Sequence, residues 1–137
     1  MLINGFIDAL AWDGDRALVV DYKTDRVGDH DLAARVQRTY RTQQIVYALA
    51  ALHAGATEVD VAYMFLRRPD EPVVTRFTAA EAQELEHELA GLATGILAGE
   101  FPVADEPHRW LCQTCPGRAS LCSWGPEMTG REPPWVA

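Results

Sequence analysis

The chain opens on two short strand-like stretches and passes into a long run of helical spacing. Leu18-Val19-Val20-Asp21-Tyr22-Lys23 reads as a strand, and a strand-like segment holding Asp8 precedes it. Between them, Asp13-Gly14-Asp15-Arg16 is a hairpin signal. Thr24 to Asp29 reads as a loop, after which Asp29 or Asp31 caps a helix predicted to run to about His53, before Gly55. Leu32, Val36, Tyr40, Gln43 and Tyr47 form one stripe on that helix. Ile45, Leu49 and Leu52 form a second, so its later turns should be buried on more than one side. Val59, Val61, Tyr63 and Phe65 alternate as in a strand, and Val73 to Phe77 suits its hairpin partner across Pro69-Asp70-Glu71-Pro72, with Arg67 and Arg68 at the turn. Thr78-Ala79-Ala80-Glu81 has the form of a capping box. The helix it opens carries Leu85, Leu89, Leu92 and Ile96 as an apolar stripe and Glu84, Glu86 and Glu88 as a solvated face. From Phe101 the chain reads as an irregular tail. The order strand, strand, helix, strand, strand, helix predicts an α/β fold, with no internal repeat.

Length and charge narrow the picture. At 137 residues the chain is one domain's worth. No apolar run approaches the length of a membrane span, and Met1-Leu2-Ile3-Asn4-Gly5 lacks the basic and apolar regions of a signal peptide, so the expected location is the cytoplasm with no membrane partner. The net charge of −8 argues against a free-standing nucleic-acid binder, because affinity for DNA comes largely from neutralised phosphates. The charge is uneven. Residues 1 to 78 hold 9 Lys and Arg against 11 Asp and Glu, whereas residues 79 to 137 hold 3 against 9. Any grip on DNA belongs to the nearly neutral first part.

The candidate chemistry lies in the first hairpin. Side chains at i and i+2 of a strand share a face, so Asp21 and Lys23 project together and Tyr22 points the other way. If Gly14-Asp15 forms the turn, Asp13 faces Arg16 and Asp8 falls opposite Asp21; if Asp13-Gly14 forms it, the two aspartates become diagonal neighbours on one face. Apposed like charges destabilise a ladder unless something positive sits between them, and a divalent cation fits. Hard carboxylate oxygens suit magnesium or manganese, which keep several waters and bind substrate phosphates. A lysine beside such a site can orient water or offset developing charge, so the implied reaction is phosphodiester hydrolysis. A D-x-K triplet taken alone is usually a solvated strand edge or a salt bridge.

Gly5-Phe6-Ile7-Asp8, Asp21-Tyr22-Lys23-Thr24 and Gln43-Gln44-Ile45-Val46-Tyr47 resemble, in order, the G-x-x-D, D-Y-K-T and Q-x-x-x-Y motifs of RecB-like nucleases in the PD-(D/E)XK superfamily. The resemblance implies a restriction-endonuclease-like core, a mixed sheet flanked by helices, over residues 1–100, with a cysteine-bearing tail over 101–137 packed on it. It makes Asp8, Asp21 and the backbone carbonyl of Tyr22 the ligands of Mg or Mn, and Lys23 the catalytic lysine. Gln43 and Tyr47, four apart on one helical face, become the pair lining the site beside DNA; Gln44 is off that spacing. Members of the family usually carry a helix with a Glu or His ahead of the G-x-x-D strand, and only seven residues precede Asp8. The core is therefore expected to be N-terminally incomplete. Arg35, Arg38 and Arg41, at i, i+3 and i+6, are either a solvated helix face or phosphate contacts.

The tail holds Cys112-x2-Cys115-x6-Cys122. In a cytosolic protein this spacing suggests metal thiolates more than disulfides, yet three cysteines are one short of a full set for iron-sulfur or zinc. Similarity to the cysteine tail of AddB-like nucleases implies three of the four ligands of a [4Fe-4S] cluster, the fourth lying ahead of the nuclease core. His108 completing a Cys3His zinc site, or three reduced thiols that merely pack, are the alternatives. His30, His53 and His87 show no motif context. The function expected is a metal-dependent DNA nuclease of RecB-like exonuclease type in recombination or repair, acting on single-stranded or end-exposed DNA together with a helicase subunit or domain. An inactive nuclease-fold remnant that binds DNA or a partner, and a cysteine-metal module with an incidental D-x-K, are the rivals.

Overall fold

The computed structural model describes residues 3, 5–28, 31–101 and 103–133. Asp29 and His30 lie outside the described residues, so of the two expected caps only Asp31 is seen. Its carboxylate accepts the N–H groups of Ala33 (2.9 Å) and Ala34 (3.1 Å).

A four-stranded mixed sheet in sequence order is built from β1 (Ala9–Asp13), β2 (Arg16–Lys23), β3 (Glu58–Phe65) and β4 (Val73–Thr78). Gly14, with φ of 61°, begins the first turn, and Asp13 pairs with Arg16. The turn is therefore Gly14-Asp15, with the positive first φ of a type II′ hairpin and no other positive φ in it. β3 and β4 pair antiparallel, as their alternation and turn residues require. β2 and β3 run parallel, a connection that needs a crossover, and the helices between them supply it.

The crossover departs from the single predicted helix. It consists of α1 (Leu32–Thr39) and α2 (Arg41–His53), broken at Tyr40, whose φ and ψ are −119° and 7°. No Gly or Pro marks the break. Tyr40 is held by tertiary contacts instead: its ring stacks on Tyr63 at 5.3 Å and its hydroxyl donates to Asp25. Gln44, Ile45, Tyr47, Ala48, Leu49, Ala51 and Leu52 are all buried, so α2 is enclosed on several sides. One cover is the sheet face carrying Val19, Val59, Val61 and Phe65; another is Leu85 of α3 (Ala82–Leu97), which joins the same core.

α3 follows a 3-10 turn over Ala79–Glu81, where Glu81 accepts from the Thr78 N–H (2.8 Å) and hydroxyl (2.7 Å). Two expectations for α3 are corrected. Its apolar stripe is buried only at Leu85 and partly at Leu89, while Leu92 and Ile96 are exposed. Its acidic face is not simply solvated, because Glu88 takes a forked pair of bonds from Arg41 (3.1 and 2.7 Å) and Glu86 bonds His53 (2.8 Å). α2 carries complementary groups along the same line, so these carboxylates cross-link the two helices.

The chain divides into two compact units, Met1–Thr94 and Gly95–Ala137. The second contains two single-turn helices, α4 (Arg109–Cys112) and α5 (Pro126–Thr129). Arg131 Nε donates to the Pro107 carbonyl (2.7 Å), Trp124 Nε1 to the Ala104 carbonyl (2.9 Å) and Arg118 Nε to Thr129 Oγ1 (3.1 Å). No helix among the described residues is long and apolar enough to cross a membrane.

Candidate active site

The β1–β2 register places Ala9 opposite Val20, and continuing it by one residue sets Asp8 against Asp21. Regular pairing stops just short of that step, and Asp8 lies one residue before β1. Its Oδ2 accepts the backbone N–H of Tyr22 at 2.9 Å, which brings the exposed carboxylate to the strand between Asp21 and Lys23. On β2, Ala17, Val19 and Asp21 are buried and Tyr22 is exposed, so Asp21 and Lys23 share the helix-covered face.

Asp21 is 4% exposed. Its Oδ2 accepts from the Tyr47 hydroxyl (2.8 Å) and from Gln43 Nε2 (3.1 Å). Oδ1 lies 2.7 Å from Lys23 Nζ, an ion-pair distance, but off the direction of a hydrogen bond, so that buried oxygen accepts none among the described residues. Gln43 is the hub. Its amide donates to Asp21 and to the Tyr47 oxygen (2.7 Å), while its carbonyl accepts from Lys23 Nζ (2.8 Å). The Tyr47 hydroxyl also lies 2.8 Å from the Phe6 carbonyl. With one proton to give, the phenol favours the charged acceptor. Gln44, one position along, is fully buried facing Thr75 Oγ1 (2.9 Å), away from the carboxylates.

Sequence reasoning missed the aromatic walls. Lys23 Nζ lies 4.3 Å from the centroid of Tyr40 and 5.2 Å from that of Tyr63, within cation–π range of both. Tyr63 pairs with Asp21 across β2 and β3 and so shares its face. The available signal was three tyrosines among otherwise apolar core positions. Burial, and then the bond to and charge of Asp21, push the Tyr47 phenol above its ordinary range. Burial and then the Asp21 charge do the same to Tyr63. Tyr40 rises to about 12, through burial first and its bond to Asp25 second. All three stay protonated at neutral pH and serve as donors and walls, not as bases.

The arginine row does not form one helical face. Arg35 and Arg38 lie on α1, with Arg35 3.7 Å from Asp25 and Arg38 exposed. Arg41 begins α2, is bound to Glu88 and lies over Phe77 at 5.6 Å. In the second unit Cys112 is buried, Cys115 exposed and Cys122 intermediate. His108 is buried and occupies the N-cap position of α4 without a side-chain capping bond. Among the described residues no three or more His, Cys, Asp or Glu are grouped to hold a metal, so the three thiols, with or without His108, do not form a ready-made site.

The hairpin carboxylates fare differently. Magnesium is ordinarily bound through only one or two carboxylates plus waters and substrate phosphates. Among the described residues, a buried Asp21 oxygen that meets the Lys23 ammonium but accepts no hydrogen bond, with a second carboxylate bonded through Oδ2 alone, is a donor set that fits such an ion.

A sheet carrying D-x-K on its second strand, a carboxylate just ahead of the first strand bonded to the residue between Asp21 and Lys23, and a Gln–Tyr pair on the crossover helix defines a nuclease class. The model of the PD-(D/E)XK nuclease superfamily matches residues 1–122, and the chain belongs to that superfamily. The mixed α/β sheet with its flanking helices is accordingly of restriction-endonuclease-like type. Over 66 residues the chain is 41% identical to an ATP-dependent helicase/nuclease subunit from Desulforudis audaxviator (strain MP104C). The match covers 48% of this chain and 5% of that protein, so the chain spans a small part of its curated relative. No solved structure gave a significant match.

Proposed function

We propose that the chain is nuclease machinery of a Mg- or Mn-dependent deoxyribonuclease of RecB-like exonuclease type, working in DNA recombination or repair. The observation that carries this reading is the buried Asp21 carboxylate, whose Oδ2 is held by Tyr47 and Gln43 while Oδ1 is ion-paired to Lys23 and, among the described residues, accepts no hydrogen bond. Residues 1–100 form the nuclease core and 101–137 a cysteine-bearing tail.

Asp8, Asp21 and the Tyr22 carbonyl would hold the ion. When bound, such an ion supplies a water-derived nucleophile at neutral pH and offsets charge on the phosphate. Gln43 and the two tyrosine rings hold the Lys23 ammonium at a fixed place, where it orients the attacking water or stabilises negative charge on the phosphoryl oxygens. Tyr47 fixes the Asp21 rotamer. Arg35, Arg38 and Arg41 are the phosphate contacts of this reading; Arg38 is exposed, and Arg35 and Arg41 would exchange an acidic partner for phosphate. The substrate is single-stranded or end-exposed DNA. The helicase/nuclease name of the relative supports a partner that is a helicase subunit or domain. The site of action is the cytoplasm.

End-labelled oligonucleotides incubated with the full chain should be degraded when magnesium or manganese is present and should survive intact in chelator. Degradation that persists in chelator, or none with either ion, would overturn the proposal.

Cys112, Cys115 and Cys122 belong to this reading as thiolates of a [4Fe-4S] cluster. Because they are not grouped beforehand, binding would have to order the tail, and metal affinity would appear as stability. Anaerobic reconstitution should give substoichiometric, oxygen-sensitive brown protein whose tail resists protease better than before. Colourless protein with unchanged protease resistance would leave the cysteines as packing residues.

A further inference from the structure

Two loops leave the same end of the parallel pair, 24–28 after β2 and 66–72 after β3. Between them is an open pocket of about 620 Å3 lined by Arg26, Val27, Gly28, Arg67, Arg68 and Glu71. Among the described residues that line it are three arginines and one carboxylate, in a chain whose net charge is −8.

The parts of the pocket do different work. Val27 is 1% exposed and anchors the first loop in the core. The Leu66 N–H donates to the Lys23 carbonyl at 2.9 Å, so the loops begin side by side. Arg68 Nε donates to Glu71 (2.9 Å) and its Nη1 to the Gly28 carbonyl (3.3 Å), tying one loop to the other. Arg26 and Arg67 are exposed, and among the described residues neither guanidinium has a hydrogen bond or ion pair. A concave site held by one arginine and presenting two more that have no acid partner among the described residues suits a doubly contacted oxyanion.

Position names the oxyanion. Arg26 follows Lys23 by three residues, at most about 11 Å of extended chain. We infer that Arg26 and Arg67 form a phosphate subsite that holds the DNA strand beside the Asp8, Asp21 and Lys23 site, gripping a phosphate next to the one to be cleaved. The inference rests on the nuclease reading above. Phosphate contacts set the register of a strand without reading its bases, so the subsite would position DNA of any sequence. It also gives an acidic chain a grip in the part where positive charge is not already spent. Arg41 is held by Glu88 and Arg35 lies near Asp25, whereas Arg26 and Arg67 have no such partner among the described residues.

Binding of a fluorescent oligothymidylate to the full chain, in chelator to prevent cleavage, tests this over a salt series. Arg26→Gln and Arg67→Gln should each weaken binding about tenfold and lower the slope of log affinity against log salt by about 0.7. The double substitution with lysine should restore the slope. Arg76→Gln removes the same charge from an arginine already bonded to Asp60 near the other end of β3, and it should change neither quantity. In manganese the double glutamine variant should raise KM more than it lowers kcat. Wild-type binding matched in affinity and slope by the double glutamine variant would overturn the subsite and leave the nuclease reading standing. A wild-type chain that binds no oligonucleotide would overturn both. Equal thermal unfolding of all variants keeps the comparison on binding.

Discussion

Lys23→Ala should lower cleavage by roughly 10²–10³-fold, the range for losing one preorganised group that stabilises developing charge, while manganese affinity stays unchanged or rises. The two outcomes separate because the ammonium serves water or phosphate and competes for Asp21. Nζ stands 2.7 Å from Oδ1, the same buried oxygen that accepts no hydrogen bond. Removing it frees that oxygen. The Gln43 carbonyl loses its lysine donor but remains near the Tyr63 hydroxyl, at 3.4 Å, and the Gln43 amide still holds Asp21 and Tyr47. The carboxylate should therefore keep its rotamer. Calorimetry with manganese alongside single-turnover cleavage measures both effects. Metal affinity lost together with activity would mean that Lys23 builds the carboxylate geometry and has no separate role.

Asp21→Asn should abolish both metal binding and cleavage, and Asp8→Asn should do the same with little effect on folding. Both substitutions keep shape and remove charge. At position 8 the amide oxygen can still accept the Tyr22 N–H, so the strand end is preserved and only the second anionic donor disappears. At position 21 the amide oxygen can accept from Tyr47 and Gln43, but the Lys23 ammonium loses its buried counter-charge. Removing one member of a buried ion pair is costly, on the order of 3–5 kcal/mol in apolar settings. The loss here should be smaller, because Gln43 and the rings of Tyr40 and Tyr63 still hold Lys23. Denaturant titration should therefore show Asp8→Asn near wild type and Asp21→Asn measurably weaker. Two variants that bind manganese as tightly as wild type would place the ion elsewhere.

The contrast between the two aspartates shows what sequence could decide alone. Gly14 fixes the hairpin turn because a positive φ is needed there, and the turn fixes the register that leads Asp8 to the end of β2, where it bonds the Tyr22 N–H. Strand period alone puts Asp21 and Lys23 on one face, and helix period puts Gln43 and Tyr47 together; these are local rules, and the structure keeps them. The alternation of Val59 to Phe65 and the Thr78–Glu81 cap are of the same kind. The tertiary structure decided the rest. The break at Tyr40 has no breaker residue, because it comes from stacking on Tyr63 and bonding to Asp25, residues 23 and 15 positions away. The cage around Lys23 joins Tyr40 and Tyr63 from a crossover and a strand that meet only when β2 and β3 run parallel. Glu86 and Glu88 satisfy the pattern of a solvated face until α2 offers His53 and Arg41. Arg26 and Arg67, 41 positions apart in the sequence, come to line one pocket because two parallel strands end side by side. Periodicity records which way a side chain points from its own element, and only packing of one element on another determines what it meets.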